Sequence, residues 1–301
     1  MYINNIIFNN DLCNEVYDKK TSLKAHKKSI QTLFVGTSHT NYGINPAYFD
    51  STTFNFGLTS LDMKGMYHLL NMYIKILPNL ENVFIEMSIF SPGFDLIKTS
   101  DKWMAFYYKE ILGIPYDVDA DTKQLQSWKK QAKTRKVKND YYGYKKQTWF
   151  GNWIAQDRYE THLKHCLRVP KPLKYLKLID KLCVNNGKRL IVFVPPCRND
   201  YESFISVRVK ELLKRYVSIY APNAEFYSFL SNKSFSLVDF GDTDHLKHNT
   251  SGVLKLAKKM NNIIKMNKKI TTKNNNKIVN KVKTWYLRIS MLKQYNKKVG
   301  K

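Results

Sequence analysis

Hydrophobic positions along this chain follow two different periods, and the two alternate. Leu33 to Gly36, Thr53-Phe54-Asn55-Phe56, Asn82 to Ile89, Arg189 to Val194 and Ala224 to Ser228 are short apolar, β-branched or aromatic runs bounded by glycine, proline and serine. They predict five strands, and the unbroken run Leu190–Val194 suits a sheet buried on both faces. Between them the period lengthens. Leu61, Met66, Leu69, Leu70, Met72, Tyr73 and Ile76 predict a helix from Ser60, as N-cap, to Leu77, stopped by Pro78. Leu173–Asn185, ended by Gly187, and Tyr201–Tyr220 predict two more, and a last helix opens near Val253 behind Thr250 or Ser251. Strands separated by helices of this length pair in parallel through right-handed crossovers, so the fold class is α/β and doubly wound.

Three stretches fall outside that alternation. Residues 1–30 are polar and weakly helical and receive no role. Residues 96–170 interleave Trp103, Phe106, Tyr107, Tyr108, Trp128, Tyr141, Tyr142, Tyr144, Trp149, Phe150 and Trp153 with lysines. This reads as a largely helical insertion that packs its own aromatics, or as a lid offering flat apolar faces to a sugar ring or acyl chain. A tail, 269–301, follows an α/β domain assigned to 1–268.

Charge changes the picture mainly in that tail. The net charge is +26, yet from Lys255 onward there are fourteen lysines and Arg288 with no Asp or Glu. Ile278, Val282, Trp285, Tyr286, Ile289 and Leu292 share one helical face, so 277–301 is expected either to lie on an anionic membrane surface or to remain a solvated extension. Nucleic-acid binding rests on charge alone and no recognisable module accompanies it, so it ranks last. Cys13, Cys166, Cys183 and Cys197 form no C-x-x-C pair, which predicts neither a disulfide framework nor a zinc site and fits a reducing compartment. The N-terminus carries no signal-peptide pattern, and no apolar run approaches the roughly 18 residues of a membrane span. A cytoplasmic protein, peripheral at most on the inner membrane face, is expected.

Candidate chemistry sits at the strand ends. Gly36-Thr37-Ser38-His39 breaks the first strand and presents a serine at the carboxyl edge of the sheet, where open α/β folds bind ligands. After the last strand, Asp242 and His245 are three apart in a loop, so the carboxylate can hold Nδ1–H and turn Nε2 outward as a base. Asp244 is a competing acid, but the three-residue spacing favours Asp242. His39 lines the pocket or packs, Arg198 lies beyond Pro195-Pro196 where it can hold an anionic substrate group, and His248 is expected to be exposed. His162 and His165 lack a third ligand, read as solvated surface residues, and no metal is assigned.

Gly36-Thr37-Ser38-His39, Asn55-Phe56-Gly57 and Asp242-Thr243-Asp244-His245-Leu246 with Gly252 together resemble the SGNH/GDSL hydrolase superfamily. The nearest branch is similar to the D-alanine-transfer protein of teichoic acid synthesis and to SGNH-like proteins of surface-polysaccharide clusters. The resemblance covers roughly 30–95 and 188–262. It implies a three-layer flavodoxin-like fold with a central parallel sheet, Ser38 as nucleophile, His245 as base and Asp242 as its orienting acid. It also implies an oxyanion hole from the N–H groups of Ser38 and Gly57, with Asn55 beside the substrate, and no cofactor. The implied activity is an esterase or O-acyltransferase acting on an acylated carbohydrate or surface-polysaccharide precursor; the alternative is an inactive binding or assembly protein of the same fold. Two positions depart from the pattern. Thr37 replaces the usual aspartate, and Glu86-Met87-Ser88 stands where an asparagine donor is expected, leaving Ser88 as a substitute donor.

Overall fold

The five apolar runs pair as one parallel sheet in the computed structural model, which describes residues 1–3, 8–137, 140–148 and 150–265. The strands are β1 (Thr32–Gly36), β2 (Thr53–Gly57), β3 (Asn82–Glu86), β4 (Arg189–Val194) and β5 (Glu225–Ser228), in the order β2-β1-β3-β4-β5. Gly36 pairs with Gly57, Val35 with Ile85 and Glu86 with Phe193, so the central strands end nearly level along one edge. The order reverses between β1 and β3, and a crevice at such a reversal is where doubly wound sheets place their sites. Ser38 follows β1 and Glu86 closes β3, one on each side of it.

Alternation along each strand divides the core between the two faces. Leu33, Val35, Val83, Ile85, Leu190 and Val192 share one buried cluster with side chains of α1 (Asn10–His26), α3 (Met63–Tyr73), α7 (Leu173–Asn185) and α9 (Val207–Tyr220). Phe34, Phe84, Ile191 and Phe193 share the other with Val253, Leu256 and Met260 of α10 (Ser251–Lys265). The result is the three-layer flavodoxin-like arrangement. On the second face the Phe34 and Phe84 rings stack at 4.3 Å and 17°.

Several boundaries move from their predicted places for local reasons. Ser60 takes φ of +54° and does not cap α3; Asp62 does, its Oδ1 accepting the Gly65 N–H at 2.8 Å. The helix predicted over Tyr201–Tyr220 is two, α8 (Asn199–Glu202) and α9, the second capped by Ser206. Residues 1–30, given no role, contain α1, whose Leu12, Cys13, Val16 and Leu23 are core. Lys19 of α1 is also buried, its Nζ donating to Asn41 Oδ1 at 2.8 Å and to the Gly57 carbonyl at 2.7 Å. α1 thus braces the turn after β1 from behind.

The insertion packs into the α/β core rather than forming a separate body. Its helices are α4 (Lys102–Tyr107), α5 (Lys123–Ala132) and α6 (Ala155–Cys166); α2 itself is Ser38–Gly43. Phe106, Tyr107, Tyr108 and Trp128 are buried in the main cluster, as the packing alternative expects. The chain divides after Ile264, and of the second unit, 265–301, only Lys265 is described. The amphipathic stretch 277–301 lies outside the described residues. Among the described residues no helix is long and apolar enough to cross a membrane.

Phe34→Ala should lower unfolding stability by about 3–5 kcal/mol, the usual loss for an aromatic cut out of a closed core. Urea denaturation checks it, and a loss below about 1 kcal/mol would contradict the placement of this ring.

Candidate active site

β1 turns into α2 within two residues, and a buried carboxylate makes that turn possible. Glu86 is fully buried at the end of β3 and points across to β1. Its Oε2 accepts the N–H of Thr37 at 2.8 Å, the N–H of Thr40 at 3.0 Å and the Thr40 hydroxyl at 2.7 Å. Its Oε1 accepts the hydroxyls of Thr37 and Ser88, both at 2.6 Å, and meets His39 Nδ1 at 3.2 Å. Gly36 leaves room for this: a Cβ there would lie 2.0 Å from Thr40 Oγ1 and 2.6 Å from Glu86 Oε2. Burial alone would raise the Glu86 carboxyl, but His39 and the hydroxyls outweigh it and hold it down at about 2. The two stretches that depart from the resembled motifs, Thr37 and Glu86-Met87-Ser88, are therefore partners of each other.

Ser38 occupies the first position of α2, where a backbone N–H has no partner within the helix. Its Oγ lies 2.8 Å from His245 Nε2. His245 sits in the loop before α10, and Asp242 builds that loop around itself. Asp242 Oδ1 accepts the N–H groups of Asp244 at 3.0 Å and His245 at 2.8 Å, while Oδ2 lies 2.8 Å from His245 Nδ1. The competing acid, Asp244, stands farther away, Oδ1 at 3.6 Å from the same nitrogen. Ser38, His245 and Asp242 thus form one continuous hydrogen-bonded chain, with Asp242 setting the tautomer that leaves Nε2 free to accept the serine proton.

A second chain runs beside it. His39 Nδ1 faces Glu86, and its Nε2 lies 3.1 Å from Asp244 Oδ2. Burial would push this imidazole down, but the hydrogen bonds and charges of the two carboxylates prevail and raise it to about 10. His39 is thus an imidazolium, stacked on His245 at 4.4 Å and 13°. Asp244 also takes Arg158 Nε of α6 at 3.3 Å, and despite its burial Arg158 and the two histidines hold its carboxyl well below the usual range. His162, one turn along α6, is buried with Nδ1 2.6 Å from the Tyr201 hydroxyl, and burial holds it far below its ordinary value, hence neutral. His39, Ser88, His162, Cys197, Tyr201 and Asp244 line a cavity of about 20 Å³, room for about one water.

Other expectations need correction. The Gly57 N–H donates to Asn55 Oδ1 at 2.8 Å, so it is not free for an oxyanion. The Ser88 hydroxyl is committed to Glu86. Asn55 does not face a substrate: it is fully buried, and its Nδ2 reaches the carbonyls of Thr40 at 2.8 Å and Ile44 at 2.6 Å, closing the end of α2. Arg198 is paired with Asp200 through Nε at 2.7 Å and Nη2 at 2.6 Å, while its N–H donates to Thr243 O at 2.9 Å and ties the β4 loop to the histidine loop. His39 packs against His245 as well as edging the small cavity. His162 is not a surface residue, and His248 is half-buried with Nδ1 3.0 Å from the Tyr144 hydroxyl.

The insertion also reaches the site. The Tyr142 carbonyl accepts the Asn55 N–H of edge strand β2 at 2.9 Å, Gln147 O accepts the His248 N–H at 3.1 Å, and Phe150 stacks on His245 at 5.9 Å and 29°. A Cβ on Gly241 would lie 2.0 Å from the Phe150 ring, so this loop position favours glycine. His245 therefore packs against both an imidazolium and a phenyl ring. His39, Asp244 and His245 also bring ligand-type atoms within 4.8 Å of one another, a spacing that a metal ion could use. All three groups are engaged in the bonds above, and parallel stacked rings send their in-plane lone pairs side by side rather than to one point. The set reads as a hydrogen-bonded network.

No family model matches this chain, and no curated protein matches it in sequence. Among solved structures, a protein from Streptococcus pneumonia provisionally described as a platelet activating factor aligns with TM-score 0.42 and 12% identity, over 84% of this chain and 94% of that one. A gut microbial diltiazem-metabolizing enzyme aligns with TM-score 0.37 and 12% identity, over 77% of this chain and 46% of its own. Likeness at this level carries no statement about activity, and the fold stands on the strand order and register above.

Two outcomes follow from the network. The Glu86 carboxyl is lowered from 4.5 to about 2, so its contribution is complete above pH 4.5 and lost as pH falls toward 2. His39 is raised from 6.5 to about 10, so its contribution is complete below pH 6.5 and lost as pH rises toward 10. In urea titrations, the margin of wild type over His39→Gln should be widest and constant between about pH 4.5 and 6.5, and should shrink on the alkaline side as the imidazolium is lost; a margin that does not fall above pH 6.5 would refute the imidazolium. Asn55→Ala should cost about 3 kcal/mol of stability, by stranding the Gly57 N–H and the α2 carbonyls. A variant that folds with wild-type stability would return Asn55 to the substrate side.

Proposed function

We propose that this chain is a serine-dependent ester hydrolase or O-acyltransferase whose substrate is an acylated carbohydrate. The observation that carries this is the Ser38–His245–Asp242 chain, with 2.8 Å at each of its two imidazole contacts. In this reading Ser38 Oγ attacks the ester carbonyl while its proton passes to His245 Nε2, and Asp242 steadies the imidazolium so formed. The Ser38 N–H stabilises the oxyanion. Collapse expels the alcohol, which takes the proton from His245, and leaves an acyl-serine. Water or a sugar hydroxyl then attacks, giving its proton to His245, and as the acyl–Oγ bond breaks His245 passes that proton to Ser38 Oγ, which restores both side chains. The carbohydrate part of the reading draws on the resemblance to polysaccharide-cluster proteins and on the aromatic ring of the insertion, Phe150, that packs against His245.

A second reading has a specific observation in its favour. With Gly57 and Ser88 committed elsewhere, Ser38 N–H is the only one of the three expected oxyanion donors left free. Each missing donor costs about 10²–10³ in rate, so hydrolysis would be slow, or absent in a protein that binds acylated sugars for assembly. The basic 277–301 tail would then hold it at an anionic membrane surface.

Purified protein should release p-nitrophenol from p-nitrophenyl acetate, and Ser38→Ala should reduce this by about 10³-fold or more. A fluorophosphonate probe should label Ser38, since only an activated serine reacts readily. Undiminished turnover by Ser38→Ala would sink the catalytic reading, while absent labelling with sugar binding retained would select the assembly reading.

A further inference from the structure

Arg158 is placed as a ligand-binding arginine would be, and nothing in the proposed chemistry uses it. Its Nε is tied to Asp244, itself buried beside His245, so the guanidinium is anchored one side chain from the base. Among the described residues no acceptor meets Nη1 or Nη2, and the only buried side-chain atom without a partner is Ser91 Oγ. Those two nitrogens therefore reach solvent. The guanidinium also lies 5.2 Å from the centre of the Trp153 ring, which is 51% exposed, and Ile154 beside it is 68% exposed. A fixed fork of donors over a half-exposed indole matches a sugar that carries an anion: the part of the ring left open takes the apolar face of the sugar, and the fork takes two oxygens of one planar or tetrahedral group.

We infer that Arg158 and Trp153 form a subsite for an anionic sugar, a carboxylate- or phosphate-bearing residue of the acylated carbohydrate. This rests on the carbohydrate reading above but not on the chemistry of Ser38. Asp244 orients the arginine by its Nε and so leaves the Nη pair outward. Arg158 thereby links recognition of the sugar to the same carboxylate that pairs with His39.

The test is direct binding, followed by NMR titration of the full chain with methyl glucuronide, glucose 6-phosphate and methyl glucoside. At least one anionic sugar should bind about tenfold or more tighter than the neutral glucoside, as expected for a charge-assisted pair. Arg158→Gln should erase that preference, and Trp153→Ala should weaken all three sugars together. Should Arg158→Gln fail to fold, Arg158→Lys keeps a cation opposite Asp244 but loses the fork, and its preference should also fall below about threefold. Which anionic sugar binds distinguishes carboxylate from phosphate. Equal binding of neutral and anionic sugars, a preference surviving in either arginine variant, or inorganic phosphate binding as tightly as glucose 6-phosphate would overturn the subsite. An inactive Ser38 would leave these outcomes unchanged, so the two readings fail separately.

Discussion

A carboxylate with no access to water governs this structure. Glu86 enters from the end of β3 and is met by two backbone N–H groups, three hydroxyls and one imidazole, all drawn from the β1–α2 turn, His39 and Ser88. An ionised carboxylate in a core is costly unless every lone pair is answered, and here the answers come from the residues that flank the candidate nucleophile. The position of Ser38 is therefore a consequence of how Glu86 is satisfied. The turn could not relax without stranding the charge, and the charge could not move without opening the turn.

From that anion the charges alternate outward: Glu86, the His39 imidazolium, Asp244, then the Arg158 guanidinium. Each member is buried or half-buried, and each meets an opposite charge on at least one side. His162 shows why the alternation matters. It lies 3.8 Å from Asp244 Oδ2, close to the same carboxylate, yet its near partner is a tyrosine hydroxyl and it stays neutral. Two buried histidines within one network thus hold opposite charge states because His39 is hydrogen-bonded to two carboxylates, while His162 is hydrogen-bonded to none and is buried beside the Arg158 and His39 cations. Asp242 and Asp244 divide their work similarly, the first folding its own loop around His245 and the second joining that loop to α6.

The α/β order was readable because strand and helix periods alternate cleanly, and Arg189–Val194 and Leu173–Asn185 appear where the pattern puts them. Ser38, Asp242 and His245 were readable as well, since each follows a strand end and D-x-x-H is a local device. What sequence could not show is which donor each buried polar atom would satisfy. Asn55 and Gly57 look like site residues in one dimension, but two residues apart on an edge strand they bond to each other. Glu86 looks like a departure from a motif, and only the parallel register of β3 against β1 reveals it as the partner of Thr37. Arg158 and Phe150 come from a segment with no strand period at all, so their approach to His245 depends on long-range packing. The one signal was the density of aromatic residues there.

The segment that brings Phe150 to His245 also lies along β2, an outer strand of the sheet. Exposed outer strands offer unpaired backbone groups to any passing chain, and proteins blunt them to avoid edge-to-edge association. Here the Tyr142 carbonyl occupies the Asn55 N–H, and a Cβ on Gly143 would lie 2.1 Å from the Asn55 carbonyl, so the strap lies too close to the edge for a further strand to enter. Colloidal behaviour and site assembly are thereby joined in one stretch of chain. A change that loosened it would bare a pairing edge and a face of His245 together, so loss of function and self-association would be expected to arise as a single phenotype.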